Sequence, residues 1–419
     1  MEKDTAKNVQ KSAIPAKGSR PIDTFLLRFG RVTSSGRFIP EIDGLRFIAI
    51  GTVILFHVVV NLAFKSPFHF TPPVEGNLIV GVARHGFRGV ELFFIISGFI
   101  LAYPFASHYR NGKPAVRLRD YFLRRVTRLE PPYIIAMVFF FFATIIVKHE
   151  SAREVFPHLL ASLAYLHNFI YQSENIINNV AWSLEIEVQF YILVPLMTSV
   201  FLIRRARIRR LVITGVCLLT ITNEWLFIDE SSWMYLTIIR FLHFFLMGFL
   251  LADFYLVDWK GSPARSYAWD VVSLLGWPFL FMMWNHPEIS ERFVPFGTSP
   301  FFATFLFPPI ALSLYVAVFR GVFTNRVMTN LWITTIGGMC YTIYLFHNQL
   351  IGVIISVTKD LVPTEIYTLN LLLQAVVVLP LMLAVTSVLF LLIEKPCMRK
   401  DWPRRLAERV QLFAERIAH

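Results

Sequence analysis

The sequence predicts an all-α protein that crosses a membrane about ten times. Of its 419 residues, 55% are hydrophobic and only 16% are charged, and the mean hydropathy is +0.56. Apolar runs of about 20 residues, the length of a transmembrane helix, recur between residues 44 and 393. Because a bilayer contains no water to satisfy backbone groups, such runs are expected to be helical. The composition therefore predicts a polytopic bundle of transmembrane helices.

The apolar runs place the spans in order along the chain. We predict spans at about 44–64, 88–106, 131–148, 182–203, 210–228, 233–254, 268–285, 301–319, 331–355 and 366–393. The apolar piece at 158–171 is about 14 residues long, which is typical of a re-entrant or interfacial segment. It must enter and leave on one side, because the basic segments before and after it are both predicted to be cytoplasmic. The prediction is ten crossings with cytoplasmic N- and C-termini and one re-entrant segment near 158–171.

The distribution of basic residues supports this topology. The predicted cytoplasmic segments hold 31 of the 40 Lys and Arg residues, and the predicted outer segments hold seven. Cytoplasmic loops of membrane proteins carry such an excess. The net charge of +12 is therefore a topology signal and does not indicate nucleic-acid binding. We predict a basic cytoplasmic arm at 1–43, a transmembrane domain at 44–393 that contacts the lipid bilayer, and a basic amphipathic tail at 394–419.

The first span carries two groups that are costly in lipid, Arg46 and His57. They are eleven residues apart, so both side chains lie on one helix face, roughly 16 Å apart along its axis. Ionisable residues inside a membrane usually mark a functional site. His57 is suited to take a proton from a hydroxyl, and Arg46 to bind an anionic group such as a phosphate. The alternative for His57 is a structural imidazole with one hydrogen bond inside the bundle.

Two carboxylates and three arginines are further candidates. The stretch WSLEIEVQF places Glu185 and Glu187 at the outer start of the fourth span. Each is either a solvated carboxylate in an interfacial belt or a group that orients His57 or contacts an acceptor. At the cytoplasmic foot of the third span are Arg124, Arg125 and Arg128. They either anchor the helix by their charge or bind the phosphates of a nucleotide-like cofactor, because Arg binds phosphate bidentately.

Two residues remain as secondary candidates. Ser97 precedes Gly98 in FFIISGF, a pattern that also indicates close helix packing. His347 is a second intramembrane imidazole, for which a structural hydrogen bond is the main alternative. Signatures of P-loops, Rossmann turns, zinc ligands and serine nucleophile elbows are absent from the sequence. No metal is predicted.

Six stretches in order resemble the acyltransferase 3 family of integral membrane proteins and together cover about residues 40–396. They are DGLRFIAIGTVILFH (43–57), GVELFFIISGF (89–99), YFLRRVTRLEPPY (121–133), WSLEIEVQFY (182–191), YTIYLFH (341–347) and IEKP (393–396). The resemblance implies a bacterial cytoplasmic-membrane protein that uses an acyl-CoA donor, with acetyl-CoA expected. It implies acyl transfer to a sugar hydroxyl of a surface polysaccharide or glycolipid, although some members acylate small molecules such as macrolides.

The resemblance also implies roles for individual residues. The family's motif positions correspond here to Arg46, His57, Arg124, Arg125, Arg128 and Glu187. Where many members have a second acid, this chain has Val188, so a paired-carboxylate role is not expected. Many members carry an extracytoplasmic domain after the last span. We therefore expect this chain to work alone or with a separate extracytoplasmic partner protein.

The sequence as a whole predicts a membrane O-acyltransferase. His57 is the predicted general base or transient acyl carrier, and Arg46 and the third-span arginines are predicted to hold the CoA end of the donor. Glu187 is predicted to orient His57 or the acceptor. The alternative from another class is a proton-coupled transporter or exporter, because intramembrane Arg, His and Glu also suit a proton relay. Repeated halves, which many transporters have, are not detectable in this sequence.

Overall fold

The described residues form helices joined by loops, with no strands among them. The computed structural model describes residues 26, 28–30, 38–65, 83–282, 300–360, 366–399, 402 and 411. Eight of its helices are long and apolar enough to cross a membrane. The predicted polytopic helical bundle is thus confirmed, whereas the count of ten crossings and the cytoplasmic termini stay predictions. Most of the predicted basic arm and of the amphipathic tail lies outside the described residues.

The helices are numbered here in chain order. The first seven are α1 (Pro40–Lys65), α2 (Gly89–Asn111), α3 (Leu118–Lys148), α4 (Ala152–Leu163), α5 (His167–Tyr171), α6 (Trp182–Met197) and α7 (Ala206–Phe227). The others are α8 (Ile238–Asp253), α9 (Tyr267–Met282), α10 (Pro300–Arg320), α11 (Phe323–Met328), α12 (Leu331–Gly338), α13 (Cys340–Thr358), α14 (Tyr367–Leu389) and α15 (Lys395–Cys397). Short 3₁₀ or π turns extend several of them, including the π turn Phe390–Glu394 after α14.

Helix α1 lies between several other helices and carries the first two candidate residues into the bundle. It packs against α2, α12 and α13, and also contacts α10, α11 and α14. Its buried apolar side chains recur at the three- and four-residue spacing of one helix face, as in Leu45, Ala49 and Val53. Because protein surrounds much of α1, Arg46 and His57 meet other side chains rather than lipid alone.

The most extensive helix contact joins α2 and α8. Where the two cross, Gly98 faces the backbone of Phe245 and Gly248 faces the backbone of Ile95. A Cβ atom at either glycine would collide with those backbone atoms, so only glycine permits the close approach. This crossing fixes the position of Ser97, which neighbours Gly98 on α2.

Two segments show how the helices depart from uniform spans. The predicted re-entrant segment near 158–171 falls on α4 and α5, which have 12 and 5 residues and are too short to cross a bilayer. The predicted span at 331–355 is divided at Met339 into α12 and α13. Gly337 and Gly338 immediately precede the break, and glycines lower helix stability. Gly337 also packs against the backbone of Asp43 on α1, which leaves no room for a side chain.

Candidate active site

A cavity of about 360 Å³ lies among α1, α2, α3, α6, α13 and the π turn that follows α14. Four arginines and three carboxylates are among its lining residues: Arg46, Arg124, Arg125, Arg128, Asp43, Glu187 and Glu394. Most of the remaining wall is apolar or aromatic, with Phe93, Tyr121 and Tyr341 as examples. The cavity therefore offers both cationic groups for an anion and an apolar surface for an uncharged chain.

Arg46 reaches the cavity from the second turn of α1. Its guanidinium donates a hydrogen bond of 2.5 Å to the carboxylate of Asp43, three residues earlier on the same helix. Residues three apart on a helix are neighbours, so this pair is formed by α1 alone. The carboxylate holds the side chain of Arg46 in place at the wall, and no described residue accepts a hydrogen bond from its other guanidinium N–H groups.

The three arginines of α3 have different environments. Arg125 lies over the Tyr121 ring, with 4.0 Å between its guanidinium carbon and the ring centroid, and donates to the Tyr121 backbone oxygen. Arg128 lies 3.9 Å from a carboxylate oxygen of the buried Glu394. Arg124 is exposed and forms no ion pair with any residue in the described ranges. It is therefore the member of the cluster whose charge is most available to a ligand.

Glu187 forms part of the cavity wall. Ser97 donates a hydrogen bond of 2.5 Å to one of its carboxylate oxygens, and the Tyr191 hydroxyl also hydrogen-bonds to this carboxylate. The positive charges of Arg125 and Arg128 lie close enough to act on it. The structure thus brings together Ser97 and Glu187, which come from helices α2 and α6.

Glu185 lies apart from the cavity. It is two residues from Glu187 on the same helix, and residues at this spacing point to different faces. Its exposed fraction is 0%, and one carboxylate oxygen accepts a hydrogen bond of 2.8 Å from the backbone N–H of Asn168. The interpretation of Glu185 as a solvated interfacial carboxylate is therefore wrong. Its observed contact ties α6 to the short helix α5.

His57 lies outside the cavity and beside His347. The centroids of the two imidazole rings are 4.8 Å apart, and the ring planes meet at 64°. Among the residues that the structure describes, none hydrogen-bonds to the His57 ring, so the predicted pairing of His57 with Glu187 is not seen. His347 Nδ1 is 2.7 Å from the backbone oxygen of Tyr344, which itself lines the cavity. The histidine pair thus begins one helical turn beyond the cavity wall.

Amide side chains follow the histidine pair on the side away from the cavity. Asn61, one turn after His57 on α1, donates to the side-chain oxygen of Asn348 at 3.1 Å. Asn348 in turn donates to Asn179 at 2.7 Å, and Gln349 donates to Asn178 at 2.9 Å. Amides are both donors and acceptors, as hydroxyl groups are. A polar region that matches the chemistry of hydroxyl compounds therefore adjoins His57.

Three residues that line the cavity were not identified as candidates from the sequence. Asp43 holds Arg46, as described above. Glu394 is fully buried and accepts hydrogen bonds from the backbone N–H and the hydroxyl of Thr342, at 3.1 and 2.6 Å. Tyr344 shares a hydrogen bond of 2.6 Å with Ser183. All three cavity residues lie within the six stretches quoted above. A search of the apolar segments for acidic residues would have identified Glu394 as a candidate.

Comparison with known proteins identifies the family. The sequence profile of the acyltransferase domain, of the acyltransferase 3 type, matches residues 39–391. The chain belongs to the acyltransferase 3 family. This family assignment agrees with the resemblance of the six stretches, of which five lie inside the matched region and IEKP (393–396) follows just after it. No solved structure matches the chain.

Several curated relatives of this acyltransferase 3 family member come from Staphylococcus aureus. The O-acetyltransferase OatA of strain NCTC 8325 / PS 47 is 25% identical over 360 residues, which is 81% of this chain and 55% of the relative. OatA of strain COL matches to the same extent. Another protein of strain COL, named provisionally as an O-acetyltransferase, is 23% identical over 356 residues, 80% of this chain and 54% of its own length. The chain thus spans about half the length of these relatives.

Proposed function

We propose that this protein is a membrane O-acetyltransferase that moves an acetyl group from acetyl-CoA to a sugar hydroxyl of a cell-surface polysaccharide or glycolipid. The observation that carries the proposal is the arrangement along α1 and α13. An arginine-lined cavity ends at Tyr344, and the histidine pair begins one turn farther on. Membership of the acyltransferase 3 family and the O-acetyltransferase names of the relatives support the same chemistry.

The cavity is the proposed donor site. Acetyl-CoA carries phosphates at one end and an uncharged thioester at the other, which matches a cavity with cationic and apolar surfaces. Arg124 and Arg46 are proposed to bind the phosphates, because guanidinium groups bind phosphate bidentately. Arg125 and Arg128 add positive charge at the same level of α3. The thioester end then extends past Tyr344 toward His57.

His57 is the proposed general base. It takes the proton of the acceptor hydroxyl as the hydroxyl oxygen attacks the thioester carbonyl carbon. The tetrahedral intermediate then collapses, the carbon–sulfur bond breaks, and the sulfur leaves with the bonding electrons. The CoA sulfur takes the proton from His57. The products are an O-acetyl ester and free CoA thiol, and His57 returns to its starting state.

The amide groups beyond His57 support an acceptor that approaches from the side opposite the donor. Asn61, Asn348 and Gln349 are half-buried, so their polar atoms are partly accessible. A sugar presents several hydroxyl groups, each a donor and an acceptor, and amides pair with both. Donor and acceptor thus reach His57 along different routes, and neither blocks the other.

Inverted membrane vesicles of the source strain test the proposal, because they expose the cytoplasmic face and contain the native acceptor. With acetyl-CoA that carries label in the acetyl group, wild-type vesicles should gain label in glycan, and mild alkali should release it as expected for an ester. His57→Gln should lower this incorporation by about 10²–10⁴-fold, the usual contribution of general-base catalysis. His243→Gln, which changes a buried histidine on α8 that does not line the cavity, is the matched control.

Other outcomes of this experiment identify the alternatives. Label in a small-molecule fraction instead of glycan would replace the sugar acceptor by a compound such as a macrolide. Purified protein that releases no thiol from acetyl-CoA, while vesicles that contain it show no labelled ester, would exclude the transferase and favour transport. Full incorporation by a normally abundant His57→Gln variant would exclude His57 as the base.

A further inference from the structure

His347 has one ring nitrogen with a partner and one without. Its exposed fraction is 0%. Nδ1 lies 2.7 Å from the Tyr344 backbone oxygen. A carbonyl oxygen only accepts hydrogen bonds, so the hydrogen of the neutral ring is on Nδ1. Nε2 then carries a lone pair, and it is buried without a hydrogen-bond partner among the described residues. Buried acceptors are nearly always paired, so this atom requires an explanation.

His57 is placed to supply that partner. The ring neighbours that the structure gives His57 are Phe56, at 5.0 Å between centroids, and His347, at 4.8 Å. Of these two, only His347 offers a hydrogen-bond acceptor. The torsion that turns a histidine ring is broad, and no hydrogen bond from a described residue holds the ring of His57. A turn of this ring therefore brings an N–H edge toward Nε2 of His347.

We propose that His347 is a positioning residue that accepts a hydrogen bond at Nε2 from His57 and so selects the tautomer of the base. The nitrogen of His57 that donates to His347 keeps its hydrogen throughout. The other nitrogen then has a free lone pair, takes the acceptor proton and later returns it to the CoA sulfur. This inference rests on the proposed function, in which His57 is the base. His347 would perform the orienting role that the sequence suggested for Glu187.

Substitutions at His347 separate positioning from packing. His347→Leu removes the acceptor and should lower kcat roughly tenfold or more, a part of the full general-base effect. KM for acetyl-CoA should stay unchanged, because His347 does not line the cavity. His347→Gln offers an amide N–H to the Tyr344 oxygen and a carbonyl oxygen to His57, so it should recover most of kcat. His243→Leu and His243→Gln are matched controls on α8 and should both keep the wild-type kcat.

The outcomes distinguish failure of this inference from failure of the proposed function. If wild type transfers acetyl, His57→Gln does not, and His347→Leu keeps the wild-type kcat, then His347 has no positioning role while the function stands. If the wild-type protein transfers no acetyl group, the proposed function and the role of His347 are both wrong. If the His347→Leu variant does not accumulate in the membrane, the His347→Asn variant is measured in its place. Its side chain is polar but too short to reach both Tyr344 and His57. A lower kcat for Asn than for Gln supports the inference, and equal values overturn it.

Discussion

Identical residues have different physical roles when their neighbours differ, as the three arginines of α3 show. Arg125 is held by a cation–π contact and a backbone hydrogen bond. Arg128 lies beside the buried carboxylate of Glu394, whose charge needs compensation. Arg124 is exposed and makes neither kind of contact with the residues that the structure describes. The contacts of Arg125 therefore account for it by helix packing, and Arg124 is the arginine that we propose to bind the donor.

We predict that Arg124→Ala raises KM for acetyl-CoA about tenfold or more while kcat and the melting temperature stay close to wild type. A hydrogen bond to a charged group contributes about 1.5–3 kcal/mol, and here it is made equally in the ground and transition states. Steady-state kinetics of purified protein measure both constants. Arg119→Ala, which changes an exposed arginine five residues earlier on α3 that does not line the cavity, is the control. An unchanged KM for Arg124→Ala would contradict the donor-binding assignment.

Arg125→Ala should behave differently, since it removes a contact within the protein. The cation–π interaction with Tyr121 contributes about 0.5–2 kcal/mol, and the backbone hydrogen bond adds to it. We expect a lower melting temperature and a lower membrane abundance, which thermal unfolding in detergent and immunoblotting measure. A variant with wild-type stability and only a raised KM would show that Arg125 acts on the donor instead.

At the scale of helices, the crossing of α2 and α8 controls the position of the cavity wall. Gly98 and Gly248 let the two backbones approach, and Ser97 on α2 consequently meets Glu187 on α6. A larger residue at the crossing must separate the helices, because the colliding atoms belong to the backbone and cannot rotate away. Packing and site geometry are thus coupled through one contact.

Gly98→Ala should therefore destabilise the protein although alanine is the better helix former. Overpacking of a well-packed contact typically costs about 1–3 kcal/mol, more than the roughly 1 kcal/mol gained in helix propensity. Gly215→Ala on α7 is the matched control, since a Cβ there meets no atom within 4 Å, and it should be neutral or stabilising. Thermal unfolding compares the two variants. Equal melting temperatures would show that the crossing tolerates separation.

For the whole molecule, the direction of α1 and α13 predicts from which side of the membrane each proposed substrate enters. Both helices run from the cavity to the histidine pair and on to the amide groups. In the topology predicted from the 31 basic residues of the cytoplasmic segments, the cavity mouth lies on the cytoplasmic side. In this predicted orientation the proposed acetyl-CoA donor enters from the cytoplasm, where CoA esters are made, and the proposed acceptor approaches from the other side.

Cysteine accessibility tests this orientation in a background without Cys217, Cys340 and Cys397. Single cysteines from Lys113→Cys and Ser262→Cys should resist a membrane-impermeant thiol reagent in intact cells. Those from Glu150→Cys and Ser173→Cys should react, because they flank the segment predicted to enter and leave on the outer side. All four positions are exposed in the structure, so burial does not mask them. Labelling at position 113, or none at position 173, would contradict the ten-crossing topology.

The sequence predicted those features of the site that depend on a single helix or on the charge of a single residue. Spacing placed Arg46 and His57 on one face of α1, and charge drew attention to Glu187 and the α3 arginines. Arg46, Glu187 and these arginines line one cavity, and His57 lies beyond it. The sequence did not reveal which helices meet. The partner of His57 is 290 residues away on α13, and the partner of Glu187 is on α2. The burial of Glu185 depends on how α5 folds against α6, which helical periodicity does not determine.

The arginines of the cavity and the histidine pair lie at different depths of the bundle, and this separation has an electrical consequence. In the proposed reaction the phosphates of CoA remain beside the arginines of the cavity. Only an uncharged acetyl group passes to the acceptor. In exchange, the hydrogen of the acceptor hydroxyl ends on the CoA sulfur. A membrane potential does about 2.3 kcal/mol of work per elementary charge per 100 mV, but this exchange displaces no net charge. The thioester bond alone then supplies the driving force, and we expect vesicles depolarised by an ionophore to acetylate as fast as polarised ones. A cell with a collapsed membrane potential would thus continue to modify its surface for as long as it makes acetyl-CoA.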